Sequence, residues 1–234
     1  MIKVENISKF YKSKKVLDDV SVSISKGEVV GIIGHNGAGK STIMGIITGL
    51  IPKFEGKIIF SEDICRKKKR NQKTIGSMIE TPSFFENMTG MENLKYCVSM
   101  NNMKLEYEQI QKYVELLELT DVIHHKVKSY SIGMRKKLDF LQAICGEPDI
   151  VILDEPTNGV DPQGVVAIRN IIAEISNKGA AVLVSSHQLS EVKKICNRVV
   201  VLYQGKIIEE IVVDESIDDD FLEKIYIKRI NSNE

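Results

Sequence analysis

Residues 29–50 read Val29-Val30-Gly31-Ile32-Ile33-Gly34-His35-Asn36-Gly37-Ala38-Gly39-Lys40-Ser41-Thr42-Ile43-Met44-Gly45-Ile46-Ile47-Thr48-Gly49-Leu50, and this stretch decides the fold. An apolar run readable as a buried parallel strand leads into G-x-x-x-x-G-K-[S/T], and an apolar segment readable as a helix follows, ending near Gly49 and Pro52. Strand, glycine loop and helix in that order form a phosphate-binding P-loop. Glycines let the backbone wrap an anion with its N–H groups turned inward. The helix that follows presents its positive dipole end to the same phosphates. Lys40 would reach the β- and γ-phosphates, and the Ser41 hydroxyl would be a Mg²⁺ ligand.

Size and composition limit what surrounds this loop. At 234 residues and 43% apolar content, the chain can bury the core of one large α/β domain with a sub-lobe. Lys+Arg and Asp+Glu both number 32, so no global basic field exists to favour nucleic acid by counterion release. Cys65, Cys97, Cys145 and Cys196 form no C-x-x-C pair and read as buried thiols in a reducing compartment. The charged start Met1-Ile2-Lys3-Val4-Glu5 lacks a signal-peptide apolar region. No window approaches about 18 uninterrupted apolar residues, so the expectation is a cytoplasmic chain whose membrane role needs a separate subunit.

Outward from the loop, residues 2–7 alternate loosely, with Ile7 one step out of phase, and suggest an edge strand. Val20-Ser21-Val22-Ser23-Ile24 alternates cleanly and suggests a second strand. Between them, Tyr11 has two readings: stacking on a nucleotide base, or packing on the strand edge. Gly56-Lys57-Ile58-Ile59-Phe60 is another short strand. Arg66-Lys67-Lys68-Lys69-Arg70 reads as a solvated loop, with contact to anionic lipid or an acidic partner as the lesser reading. The strand at 74–79 delivers Glu80. Thr89 is placed to cap a helix to about Met100, residues 106–119 have helical spacing, and Ser131 sits where an N-cap would begin the next helix. His124-His125 have no third ligand nearby and read as surface histidines. Residues 84–147 are thus an inserted helical lobe in an otherwise alternating chain. Strand 149–153, helix 163–178, strand 180–185, helix 188–197 and a hairpin about Gln204-Gly205 complete the pattern. The expected organisation is a domain over 1–213 and a C-terminal tail over 214–234.

Asp154-Glu155 closes the buried strand at 149–153. Carboxylates at the carboxyl end of a parallel strand belong at the ligand crevice. Successive residues point oppositely, so Asp154 can hold Mg²⁺, through water, while Glu155 aligns and deprotonates an attacking water. His187 ends the next strand, where it can touch the γ-phosphate; by residue type alone it reads more often as a capping or core histidine, and its value comes from its position after the Asp-Glu strand.

These features together resemble the ATP-binding subunits of ABC transporters over nearly the whole chain. Residues 34–42 resemble Walker A, residues 150–155 Walker B with its catalytic glutamate, Asn158-Gly159-Val160-Asp161 the D-loop, and Ser186-His187 the switch histidine. Tyr11 matches the adenine-stacking aromatic. Tyr130-Ser131-Ile132-Gly133-Met134 matches the signature, usually L-S-G-G-Q, with Ile132 and Met134 as departures; Ser131 and Gly133 keep the parts that touch phosphate. Glu80 stands where the family has the glutamine that senses Mg²⁺ and contacts the membrane subunit. The resemblance implies an ABC ATPase fold: a P-loop NTPase core with a mainly parallel sheet, an N-terminal antiparallel β subdomain and an inserted helical lobe. It implies ATP and Mg²⁺ as ligands, Glu155, His187 and Lys40 as catalytic groups, and nucleotide contacts from Tyr11, residues 34–42, Glu80, Ser131, Gly133 and Asp161. The metal side would be Ser41, Asp154 and Glu80.

It also implies integral membrane permease subunits, a second copy of the ATPase closing head-to-tail around two nucleotides, and a place on the inner face of the cell membrane. The runs at 75–82, 130–134 and 157–162 look like the branch of bacitracin and lantibiotic immunity exporters. An ATPase of another ABC exporter, for a drug or a polysaccharide, is the alternative. Translation- or repair-type ABC proteins carry two cassettes or long coiled coils, which 234 residues without sustained heptads do not accommodate. A small-molecule P-loop kinase leaves the signature and the Asp-Glu pair unexplained.

Overall fold

The computed structural model describes residues 1–61, 74–79, 82–101, 103, 105–187 and 189–214. Glu80, Cys65, the basic run at 66–70 and the tail from 215 lie outside the described residues.

The strands fall into two sheets. The smaller is antiparallel, in the order β2 (Lys14–Ile24), β1 (Ile2–Tyr11), β4 (Glu55–Phe60). The larger has the order β5 (Ile75–Met78), β6 (Ile150–Asp154), β7 (Ala181–Ser186), β3 (Val29–Ile33), β8 (Arg198–Tyr203), β9 (Lys206–Val212). Its first five strands are parallel, and β9 returns antiparallel through a turn in which Gln204 and Gly205 have φ of 45° and 81°. Positive φ at both turn residues suits a two-residue hairpin.

β1 lies in the middle of its sheet, not at the edge as its imperfect alternation suggested. Asn6 has a φ of 54° and Asp19 a φ of 56°, and the Asn6 side chain donates to Asp19 Oδ1 at 2.8 Å. The register shifts between Val4 and Ile7, and this bulge returns Ile7 to the buried face. An out-of-phase residue marked a bulge in a paired strand rather than a weak one.

The alternation of the parallel strands divides the core. Val30, Ile32, Ile150, Ile152, Leu183 and Val200 face the first helix, α1 (Lys40–Ile47), and the smaller sheet. Val29, Ile33, Val151, Leu153, Val182 and Val199 face the opposite layer of helices. Between β5 and β6 the described chain forms α2 (Gly90–Met100), α3 (Tyr107–Leu116) and α4 (Ile132–Ile144). α2 begins where Thr89 and Glu92 bond each other's backbone N–H at 3.1 and 2.7 Å. α5 (Pro162–Asn177) and α6 (Leu189–Ile195) cross over after β6 and β7. The carboxyl ends of β3, β6 and β7 therefore gather the loop at 34–42, Asp154-Glu155 and Ser186-His187 at one edge of the sheet. His124 and His125 are exposed on the connection between α3 and α4.

Candidate functional site

The loop at 34–42 is held tightly enough that glycine is required at its ends. A Cβ on Gly34 would stand 2.3 Å from the Leu202 carbonyl oxygen. Gly39, at a φ of 111°, would place one 2.6 Å from Leu17 and 3.2 Å from the Val16 carbonyl. Gly39 caps α1 without a side-chain acceptor, which leaves the first-turn N–H groups for an anion. Ala38 is buried beneath the loop; His35 is exposed, its ring edge-on to Tyr203 at 5.4 Å. Lys40 is only 7% exposed, and its ammonium donates to the carbonyl oxygens of Gly34 at 2.6 Å and His35 at 3.3 Å. Those weak neutral acceptors keep the cation inside the loop and are readily replaced by phosphate oxygens, a stronger charge-assisted pairing.

Across from the loop, β6 ends in the two carboxylates. Asp154 accepts a hydrogen bond from the Ser185 hydroxyl of neighbouring β7, its partner in register. Ser185 Oγ also accepts from the Glu155 N–H at 2.9 Å. Glu155 has a φ of 48°, an unusual backbone state for a side-chain-bearing residue, and such states concentrate at functional sites. Its carboxylate is held from two sides. Asn158 Nδ2 donates to Oε2 at 3.2 Å, and His187 Nδ1 lies 3.2 Å from Oε1. The acid is thus aimed by a histidine and an amide rather than left free to rotate.

A cleft of about 540 Å³ separates these two halves. Asn36, Gly37, Gly39, Lys40, Ser41 and Thr42 form its floor, and Asp154, Glu155 and Asn158 face them. Lys14 and Val16 of β2 and Lys136 of α4 complete its lining. Three cations and two carboxylates in one cleft suit a polyphosphate carried with a divalent metal.

Other expected residues stand elsewhere. Tyr11 does not line the cleft: it is 48% exposed, with the Lys9 ammonium 4.9 Å from its ring centroid. Its hairpin partner Lys14 does line it. Ser131 caps α4, accepting from Met134 N–H at 3.2 Å, while the Ser131 N–H meets the Met134 sulfur at 3.4 Å. Methionine therefore fills, through a weaker acceptor, the capping-box place where the usual glutamine would sit. Ile132, in place of a glycine, is 78% exposed. Gly133 lies beside Gly159, where a Cβ would be 3.5 Å from the Gly159 carbonyl oxygen. Asp161 caps α5 through Gly164 N–H at 2.9 Å and pairs with buried Lys137 at 2.7 Å. The Lys137 ammonium first, and the Gly164 N–H second, hold the Asp161 carboxyl below the usual carboxylate range.

Ser185, Lys14, Val16 and Lys136 were not singled out in the sequence. Ser185 left one signal: a polar residue ending an apolar strand. The others depend on strand register and on the reach of a long side chain, which leave no local pattern.

A model of the ABC transporter family matches residues 17–158. The chain is 36% identical over 231 residues to the lantibiotic transport ATP-binding protein SrtF of Streptococcus pyogenes, covering 98% of this chain and 99% of that protein. It is 34% identical over 219 residues to the bacitracin transport ATP-binding protein BcrA of Bacillus licheniformis, covering 92% and 70% respectively. A solved ATP-binding subunit of an ABC transporter superposes with a TM-score of 0.83 at 26% identity, over 98% of this chain and 99% of that one.

Proposed function

From the premise that the chain belongs to the ABC transporter family and is an ATP-hydrolysing subunit of it, we propose that it drives an exporter of lantibiotic- or bacitracin-type peptide antibiotics. One observation carries the motor reading. Glu155, pinned by Asn158 and His187, faces an anion-binding loop across a cleft of nucleotide size.

In this reading the loop amides, the α1 N-terminus and Lys40 hold the β- and γ-phosphates. Tyr11 takes the base from the β1–β2 end of the cleft. Glu155 accepts a proton from the attacking water, and His187 and Asn158 keep its carboxylate aimed. The donors at the Mg²⁺ position, the Ser41 hydroxyl and the Asp154 carboxylate, are hard oxygens that suit that ion. Bound there, Mg²⁺ would neutralise phosphate charge and help fix the phosphates in line.

Among the described residues no helix is long and apolar enough to cross a membrane. In this reading, supported by the transport names of the relatives, integral permease subunits supply the pathway and the chain works on the inner face of the cell membrane. Ser131 and Gly133 would meet the nucleotide of a second copy, whose closure is the stroke and whose opening follows hydrolysis. Glu80 would join the metal side in place of glutamine.

The test expresses the chain with the membrane proteins encoded beside it and measures resistance to a panel of cationic peptide antibiotics. Protection by the wild type and none by Glu155→Gln is expected. Protection equal to the empty vector, alongside normal ATPase activity of the purified chain, would reject peptide export and leave the motor intact.

A further inference from the structure

α4 carries three consecutive basic residues with different commitments. Arg135 clamps the Glu86 carboxylate with two guanidinium nitrogens, and Lys137 is buried against Asp161. Lys136 makes no ion pair with another described residue and lines the nucleotide cleft.

The packing of α4 sets which end of the cleft Lys136 meets. A Cβ on Gly76 of β5 would lie 1.7 Å from the Ala143 carbonyl oxygen, so the end of α4 rests directly on the strand. Gly76 pairs with Val151 of β6. The chain passes from α4 through a short connection into the start of β6, so helix and strand run in opposite directions. Seven residues back from Ala143, at about 1.5 Å each, raise Lys136 by roughly 10 Å. Three strand residues, at about 3.3 Å each, raise Val151 to Asp154 by the same roughly 10 Å. Lys136 is therefore level with the carboxylates Asp154 and Glu155, with which it lines the cleft.

We propose that Lys136 contacts the terminal phosphate of the nucleotide bound in its own chain and makes the cleft prefer ATP to ADP. This rests on the reading of the cleft as the ATP site. Ser131 and Lys136 are five residues apart, about 140° around the helix, and so address opposite sides of α4. Ser131 faces outward at the helix N-terminus, while Lys136 faces inward to the chain's own cleft. One helix then responds to two nucleotides, and filling its own cleft with ATP pulls α4 toward β6. The flexible stem of half-buried Lys136 permits that reach, and a guanidinium would preserve the charge.

The experiment measures displacement of a fluorescent nucleotide by a non-hydrolysable ATP analogue and by ADP, both with Mg²⁺. The proteins are the full chain and its Lys136→Gln, Lys136→Arg and Lys40→Ala variants. Lys136→Gln should weaken the ATP analogue about tenfold and ADP by no more than about twofold, and Lys136→Arg should restore the preference. Normal ADP binding in the same sample shows that the variant is folded. Equal losses for both nucleotides, or unchanged binding of both, overturns the role of Lys136 provided Lys40→Ala has lost affinity. If Lys40→Ala binds both normally, the cleft is not the nucleotide site, and both that reading and this proposal fall.

Discussion

Replacing Glu155 by glutamine isolates proton transfer from everything else that residue does. The substitution keeps the length of the side chain and its backbone, including the N–H bond to Ser185 Oγ at 2.9 Å. The new amide oxygen can still accept from Asn158 Nδ2, now 3.2 Å from Oε2. The new amide nitrogen then faces His187 Nδ1, 3.2 Å from Oε1, and pairs with it once the ring proton sits on Nε2. Both supports survive, so neither folding nor ATP affinity should change by more than about twofold, while the acceptor for the water proton is gone. Loss of a general base lowers turnover by about 10²–10⁴, a barrier rise of about 3–5 kcal/mol. Phosphate release with saturating Mg²⁺-ATP reads the chemistry, and equilibrium nucleotide binding reads the cleft. A nucleotide-bound dimer should accumulate, visible by gel filtration. Turnover within a few-fold of wild type, with binding intact, would refute Glu155 as the base. Loss of ATP binding in parallel would refute the geometric argument that glutamine keeps the site.

Ser131→Arg removes the α4 cap, at a cost of about 1 kcal/mol, and puts bulk and charge where a second copy's nucleotide would dock. Monomer ATP binding should survive and dimer closure and hydrolysis should fail; equal loss of monomer binding would place Ser131 within one chain's site. Burial raises the Glu174 carboxyl, but the Lys112 and Lys178 ammonium groups at 2.7 and 2.8 Å outweigh it and hold it at about 2, below the ordinary 4.5. That stabilisation is fully present above pH 4.5 and is lost as pH falls through about 2, so Glu174→Gln should lower the urea midpoint most at pH 7 and clearly less at pH 2.5. Burial pushes the Asp139 carboxyl from 3.8 up to about 7 against the opposing pull of Lys136. Its favourable protonated form is lost as pH rises to about 7, so Asp139→Asn should gain stability over wild type progressively from pH 4 to 7 and hold the gain above, by thermal melting.

The readable parts of this protein were those written in short-range chemistry. The loop at 34–42, the Asp154-Glu155 strand end and the caps Thr89 and Ser131 each depend on residues within a few positions of one another, and each stands where its local pattern put it. β1 was misplaced at an edge because a bulge at Asn6 breaks alternation without breaking pairing. Ser185 escaped notice because its link to Asp154 exists only when β6 and β7 lie in register, thirty-one positions apart. Asp161 is placed by resemblance at the nucleotide; that its carboxylate also caps α5 and pairs with Lys137 of α4 was not legible, since the Lys137 pairing joins residues twenty-four positions apart. The exchange of glutamine for Met134 was legible as a departure but not as a working cap, since a thioether is an uncommon partner for a backbone N–H.

The segment from Glu155 to Asp161 ties the base to α4. Asn158 bonds both the Glu155 carboxylate and, through its N–H, the Glu155 carbonyl at 3.2 Å. Val160 N–H bonds the Thr157 carbonyl at 3.3 Å, so the segment is two consecutive turns rather than a slack loop. Asp161 then grips Lys137 of α4, which is 7% exposed, and Gly159 lies beside Gly133 next to Ser131. The Lys137 end of this pair is buried and the Asp161 end is half exposed, so the pair ties α4 to the segment at the segment's last residue. A displacement of α4 would pull on the segment through Asp161. Its far end is Asn158, the residue that aims Glu155. The head of α4 and the alignment of Glu155 are therefore linked through Lys137–Asp161 and the turns at 155–161. A contact made on Ser131 would in this way reach Asn158, and through it the Glu155 carboxylate, within the same chain.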